Sequence, residues 1–356
     1  MSPAPRLLAS TVLLGAALLG CAGERRGAGG GDGESGGPCA VNTAFQRFTD
    51  IPAAVAPPFD PAKEIHVRTP AEEDAARRIL VDAGWGGALP RDVPFHVSPR
   101  AVDLTGLPVK AAPEAWLSTY GVTTYVLRPA GYNGRAVIVH QGHASYEARW
   151  KGGVDLLIGH LLRRGFAVAV MQMPLNGWNP KVWPSHAAMI AAMGDRALAW
   201  FVGPVIEVVN ELYERHSDVS MVGFSGGGWT TVLAAALDER ISRSAAVAGS
   251  LPTAYRNAYK REVCSYRAND EQSDFAFYRR VTYEDLYLLG VSRGRWQVQI
   301  NNQFDSCCFY GVSAQLYAPH VIAAATGTWS AVLDTTHEAH RVSPEALRAI
   351  DDLLGP

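Results

Sequence analysis

The sequence predicts an α/β protein with a mainly parallel, doubly wound sheet. Three observations carry that prediction. Short apolar runs such as Arg135–His140 (RAVIVH), Phe166–Met173 and Val219–Val222 alternate with stretches of helical periodicity. These runs are apolar almost throughout rather than every second residue, as in strands covered on both faces. The last of them turns sharply through Gly223-Phe224-Ser225-Gly226-Gly227 into Thr230, Leu233, Ala234 and Leu237, which share one face at helical spacing.

The elements follow in chain order. Arg6–Cys21 (RLLASTVLLGAALLGC) sets one positive charge before an apolar run too short to span a bilayer, the pattern of a signal peptide. Its end, Leu18-Leu19-Gly20-Cys21-Ala22, is similar to the lipobox of bacterial lipoproteins. That resemblance implies removal of residues 1–20, acylation of Cys21 and, since Ala22 stands where an inner-membrane retention signal would put Asp, the outer membrane. Residues 21–38 are Gly-rich and polar, a flexible tether. Residues 39–114 read as an N-terminal arm. Within it Thr69 caps a helix that starts at Pro70 and stops at Gly84.

Ala115–Arg128 is β-branched and aromatic and reads as strand with a break near Gly121. Val154–Arg164 is an amphipathic helix ended by Gly165, and Asn176–Ser185 is loop. Ala187–His216 is helical, with a kink expected at Gly203-Pro204. Ser244–Gly249 and Trp296–Asn301 are further strands, Ser313–Ala325 is helix, and Trp329–Leu333 is the last strand. Ser343 caps a final helix. Residues 251–293 break the rhythm with eight Tyr and Phe side chains and read as a helical insertion forming a cap over the site.

The chain has 356 residues, 48% of them apolar, enough for one large α/β domain over 115–356. A formal net charge of −2 with no long basic run argues against a nucleic-acid partner. Of five cysteines, removing Cys21 leaves Cys39, Cys264, Cys307 and Cys308, an even number that suits one or two disulfides in an exported protein and leaves their pairing open.

Gly223-x-Ser225-x-Gly227 between a strand and a helix is the pattern of a nucleophile elbow. A Cβ at either flanking glycine would collide with the neighbouring strand or helix. The helix behind Ser225 aims its N–H groups and positive end at the place where an oxyanion would form. A Walker loop needs Gly-Lys-Ser/Thr, and a dinucleotide fingerprint belongs early in the chain; neither fits.

A serine nucleophile needs a base, and the base needs an acid to fix its tautomer. Asp305 lies just beyond the strand Trp296–Asn301, and His337 and His340 lie just beyond Trp329–Leu333. With Ser225 these stand in the order nucleophile, acid, base. On these placements the chain resembles the α/β-hydrolase family over about Ala115–Leu354. The resemblance implies an α/β-hydrolase fold with Ser225, Asp305 and His340 as triad, His340 being favoured over His337 because it directly precedes the final helix. Asp334 is a rival acid on the histidine loop itself. The resemblance also implies an oxyanion hole from the N–H of Gly226 and one from Gln141, Gly142 or His143 in the segment His140-Gln141-Gly142-His143, with Gly142 and His143 the expected positions. A zinc site on His140, His143 and a carboxylate finds no His-x-x-x-His helix to support it.

The expectation is an exported, lipid-anchored serine hydrolase acting on small esters through an acyl-enzyme, with no cofactor. A peptidase or amidase of prolyl-oligopeptidase type and a non-catalytic binding module on the same fold are the alternatives. The residues before Ala115 are too few for the propeller that such peptidases usually carry.

Overall fold

The computed structural model describes residues 60–93, 96–98, 112–129, 131–143, 152–255, 270–272, 274–305, 307 and 309–356. All belong to the compact unit Cys39–Pro356. The expected leader, Cys21, the tether, Cys39, Cys264 and Cys308 lie outside the described residues.

Among the described residues, nine strands form one sheet: β1 (His96–Ser98), β2 (Ala112–Leu117), β3 (Thr123–Arg128), β4 (Arg135–His140), β5 (Ala167–Met171), β6 (Asp218–Phe224), β7 (Ile241–Val247), β8 (Trp296–Asn302) and β9 (Thr328–Asp334). Their spatial order is β1-β2-β3-β5-β4-β6-β7-β8-β9. From β5 to β9 every neighbouring pair is parallel. The other edge, β1-β2-β3, is antiparallel and joins β5 antiparallel. The stretch Ala115–Arg128, expected as strand with a break near Gly121, is two antiparallel strands turning there. Ser118–Val122 closes the turn, with the Gly121 N–H donating to Ser118 O at 2.9 Å and Gly121 at φ 74.

Alternation along the parallel strands divides the core. Val137, Val139, Val168, Val170 and Val222 face one side. There they meet helices α2 (Val154–Arg163) and α8 (Pro344–Leu354). Ala136, Ile138, Ala169 and Met221 face the other side. That side is covered by α1 (Pro70–Trp85), α4 (Leu198–Arg215), α5 (Gly226–Leu237), α6 (Tyr283–Val291) and α7 (Ala314–Ala324). The short helix α3 (His186–Met193) precedes α4. Every residue of α5 is buried, so this helix is the centre of its layer.

Several local features depart from expectation for identifiable reasons. Helix α1 does not stop at Gly84, which packs on Leu198 and Ala199; it ends at Gly86, whose φ of 74 makes the left-handed cap. The long helix breaks at Gly194 (φ 57, ψ −141), and α4 runs on with Pro204 inside it. Gly203 is where the ring of Tyr120 crosses the helix: a Cβ there would lie 2.3 Å from it. The aromatic load of 251–293 also has another use among the described residues. Phe275, Phe277, Tyr278, Tyr283 and Tyr287 form a chain of stacked and tilted ring contacts that continues to Trp229, Tyr317 and Trp329 inside the helical layer. Residues 256–269 of that segment lie outside the described residues.

The chain leaves β4 for β5 on one side, then crosses to β6 on the other. The carboxyl ends of β4 and β6 are thus a topological switch point, where open α/β sheets form their binding crevices. His140 and Gly223 are register partners there.

Candidate active site

Strand β6 ends at Phe224, and Ser225 takes φ 56, ψ −129 before α5 begins. A non-glycine residue in that region is strained, and the strain persists because the surroundings dictate it. Ser225 N–H donates to Val247 O at 2.9 Å, and Ser225 O accepts from Gly228 N at 2.8 Å and Trp229 N at 3.2 Å. A Cβ on Gly223 would fall 2.0 Å from Gly227 O, and one on Gly227 2.1 Å from His140 O. Only glycine lets the helix press this closely on both strand ends. The first turn of α5 thereby directs its N–H groups toward Ser225.

Asp305 is buried in the loop after β8. Its two oxygens have separate partners: Oδ1 accepts the Cys307 N–H at 2.7 Å, and Oδ2 lies 2.8 Å from His340 Nδ1. A carboxylate only accepts, so Nδ1 carries the proton of that bond. The imidazole of His340 then rests on the ring of Phe224, the residue before Ser225, with centroids 4.6 Å apart. The structure thus brings Asp305 and His340 together at the elbow. His337 is turned elsewhere: its Nε2 lies 3.1 Å from Asp334 Oδ2 and its Nδ1 3.1 Å from Asn302 Nδ2. Asp334 also accepts from Thr336 N, Thr336 Oγ1 and the Ser343 hydroxyl. Those bonds hold its carboxyl below the usual range although burial pulls the other way.

The segment after β4 corrects one expectation. Gln141 N–H continues the sheet to Met171 O at 2.8 Å, and Gly142 N–H turns back to His140 Nδ1 at 3.2 Å. Gly142 is therefore not an oxyanion donor here; its amide is engaged. Its role is steric: at φ 77, a Cβ would lie 2.4 Å from Phe224 O and 2.9 Å from Gly226 N. Below it, burial and then the nearby His143 press the His140 pKa down to about 3, so His140 is neutral and accepts. Gly226 and His143 remain the expected donor positions, and they adjoin: a Cβ on Gly226 would meet His143 Nδ1 at 2.7 Å.

Two residues at the site were not anticipated. His143 Nε2 lies 3.2 Å from His186 Nδ1 and 3.1 Å from Glu271 Oε1. Burial raises the Glu271 carboxyl, but the imidazoles, His143 foremost, more than offset this and hold it at about 2. Burial lowers the pKa of His186. Among the described residues these three are a group able to hold a metal ion. No local signal could have joined them, because His186 lies 43 residues from His143 and Glu271 sits in a short turn within the aromatic segment.

No protein-family model matches this sequence, and no curated protein matches it. In three dimensions it is similar to acetyl xylan esterase 1 from Thermoanaerobacterium sp., at 11% identity over 83% of this chain and 98% of that one, with a TM-score of 0.52. It is similar to an esterase from Pyrococcus furiosus at 13% identity over 74% and 98%, with a TM-score of 0.50. A methylesterase matches at 18% identity over 79% of this chain with a TM-score of 0.53, and this chain spans 62% of its length. The chain has the α/β-hydrolase fold. On an α/β-hydrolase fold the loops after β6, β8 and β9 open on one end of the sheet, and these loops carry Ser225, Asp305 and His340.

Proposed function

We propose that this chain is an exported serine hydrolase that cleaves carboxylic esters of small molecules. One observation carries the reading: the 2.8 Å pair of Asp305 and His340 is set against Phe224, next to the strained Ser225. Asp305 fixes the imidazole with its proton on Nδ1, which assigns Nε2 the proton of Ser225 Oγ. Oγ attacks the ester carbonyl carbon as that proton moves to His340. The oxyanion takes the N–H groups of Gly226 and His143, a type of contact worth about 10²–10³ in turnover per donor. Collapse breaks the carbonyl–alkoxy bond, and His340 returns its proton to the departing alcohol. Water repeats the sequence on the acyl-serine, releasing the carboxylic acid and restoring Ser225. The names of the structurally similar acetyl xylan esterase and methylesterase support an ester rather than an amide.

The decisive experiment is a panel of nitrophenyl esters of increasing chain length, with an aminoacyl anilide beside them, on purified protein and on Ser225→Ala. Ester turnover that falls about a thousandfold or more in the variant, with loss of fluorophosphonate labelling, is expected. Labelling that survives in Ser225→Ala would sink the proposal, and anilide turnover exceeding ester turnover would move it to a peptidase.

The proposal includes a lipid anchor at Cys21, supported by Leu18-Leu19-Gly20-Cys21 and the Gly-rich stretch after it. Cys21→Ser should release the chain from membranes with its hydrolysis intact; unchanged fractionation and unchanged palmitate labelling would remove the anchor from the proposal.

A further inference from the structure

We propose that His143, His186 and Glu271 form a site for a divalent cation with the chemistry of zinc. Three elements meet there: the segment after β4, the first residue of α3, and the turn Asp270–Gln272. The separations between the converging atoms are 3.2 Å (His143 Nε2 to His186 Nδ1), 3.1 Å (His143 Nε2 to Glu271 Oε1) and 3.8 Å (His186 Nδ1 to Glu271 Oε2). Bonds of 2.0–2.2 Å to a tetrahedral zinc put neighbouring ligand atoms about 3.3–3.6 Å apart. These values use both Glu271 oxygens; with one ligand atom from each residue, the three lie within 4.8 Å of one another, a spacing that closes onto one face of such a tetrahedron by small side-chain rotations.

The hydrogen bonding around the cluster points the same way. His186 Nε2 lies 2.7 Å from Pro174 O, a group that only accepts, so Nε2 carries the proton and Nδ1 turns its lone pair inward. A ligating histidine is held in this manner, its second nitrogen donating to a carbonyl or carboxylate. Glu271 is 2% exposed, and its Oε1 makes no hydrogen bond although His143 Nε2 is 3.1 Å away. The two atoms are close but out of line, as are two ligands turned toward a common third atom. A proton shared by the imidazoles would serve the histidine pair and leave that buried oxygen unsatisfied, at a cost of about 1–3 kcal/mol or more for a charged group. A cation satisfies all three. The side chain of His143 is 36% exposed, which opens a path for the ion from solvent.

Two imidazoles and one carboxylate make a three-ligand set, the kind that leaves a coordination position for water. The consequence for this fold is positional. The ion would be held through Nε2 of His143, whose other nitrogen faces Gly226. It would tie the segment bearing Glu271 to the wall of the nucleophile elbow.

The test reads metal, not turnover, so it is independent of the ester-hydrolase proposal. The whole protein is stripped with a chelator and titrated with Co²⁺, followed by its ligand-field absorption, and with Zn²⁺ against a chromophoric chelator. One equivalent per chain is expected, with intense tetrahedral-type cobalt bands. Glu271→Gln and His186→Ala should each weaken binding by more than the roughly 10–100-fold that loss of an outer-shell partner costs. Thermal melting of the parent with and without Zn²⁺ needs no variant: bound metal should raise Tm in a concentration-dependent way. A parent that takes up no stoichiometric metal and shows no Tm shift overturns the proposal and leaves a histidine–carboxylate ion pair. Undiminished binding in both variants overturns it as well, because the metal then sits elsewhere.

Discussion

His337 Nε2 lies 3.1 Å from Asp334 Oδ2, while the other ring nitrogen lies 3.1 Å from the Asn302 amide. Both nitrogens are thus committed to fixing the loop after β9. The same loop is held by Asn302 Nδ2 donating to Ala339 O at 3.2 Å, directly before His340. His337 is a positioning residue on this geometry. His340→Ala should abolish ester turnover about as completely as Ser225→Ala, whereas His337→Ala should cost about tenfold or less in kcat. The second variant should also lose about 1 kcal/mol of stability, the net worth of one hydrogen bond, since Asp334 keeps its bonds from Thr336 and Ser343. Parallel kinetics and urea melts check this; the reverse activity ranking, with both variants folded, hands the base role to His337.

Asp305→Asn tests the orienting role separately. With its amide oxygen still accepting the Cys307 N–H, the group facing His340 Nδ1 becomes an NH2 donor, which the protonated Nδ1 cannot pair with. Turnover should fall by up to about 10⁴, with the fold unchanged by circular dichroism. An activity within about tenfold of the parent would exclude Asp305 as the acid.

Gly142→Ala addresses the contact between the β4 segment and the elbow. The new methyl group has backbone on its far side, Phe224 O at 2.4 Å, and a φ of 77 that L side chains avoid. A destabilisation of about 1–3 kcal/mol is expected from crowding alone. Turnover should drop further than stability does, because the displaced atoms flank Ser225. Measured Tm and kcat on the same preparation separate the two effects.

Stability should fall on acidification in a window set by His140. Its folded pKa is about 3 against an ordinary 6.5, so the unfolded chain binds the extra proton between those values. Stability is complete above about pH 6.5 and is lost as pH falls toward 3, with a limiting slope of about 1.4 kcal/mol per unit for one proton. Replacing His140 by Gln should flatten that slope in chemical melts at pH 4, 5 and 6. An unchanged slope would mean that other groups govern the acid transition.

Features fixed by local chemistry were legible in the sequence. Thr69 and Ser343 cap their helices through their own hydroxyls, and the glycines around Ser225 announce close approach. The order Ser225, Asp305, His340 was readable because each follows a recognisable strand. What was hidden depends on the partner across space. Gly84 looked like a helix stop and is a packing glycine against α4, and the room that Gly203 makes for Tyr120 had no sequence signal. The Gly142 amide looked like a donor to the site until the neighbouring His140 ring claimed it. The meeting of His143, His186 and Glu271 has no sequence spacing at all, being a product of the tertiary fold.

The residues read from sequence as an arm are built into the body from the opposite end of the chain. Asp285, in the first turn of α6, accepts the amides of His66 at 2.7 Å and Val67 at 3.0 Å, and Thr282 Oγ1 donates to Glu64 O at 2.7 Å. Arg77 of α1 likewise donates to Ala236 O at the end of α5. His66 and Asp285 are 219 residues apart. Contacts of that separation close a long loop before they repay its entropy. The segment preceding α1 is therefore tied down by some of the least local bonds among the described residues, and deleting the Asp285 carboxylate would free it without touching the elbow.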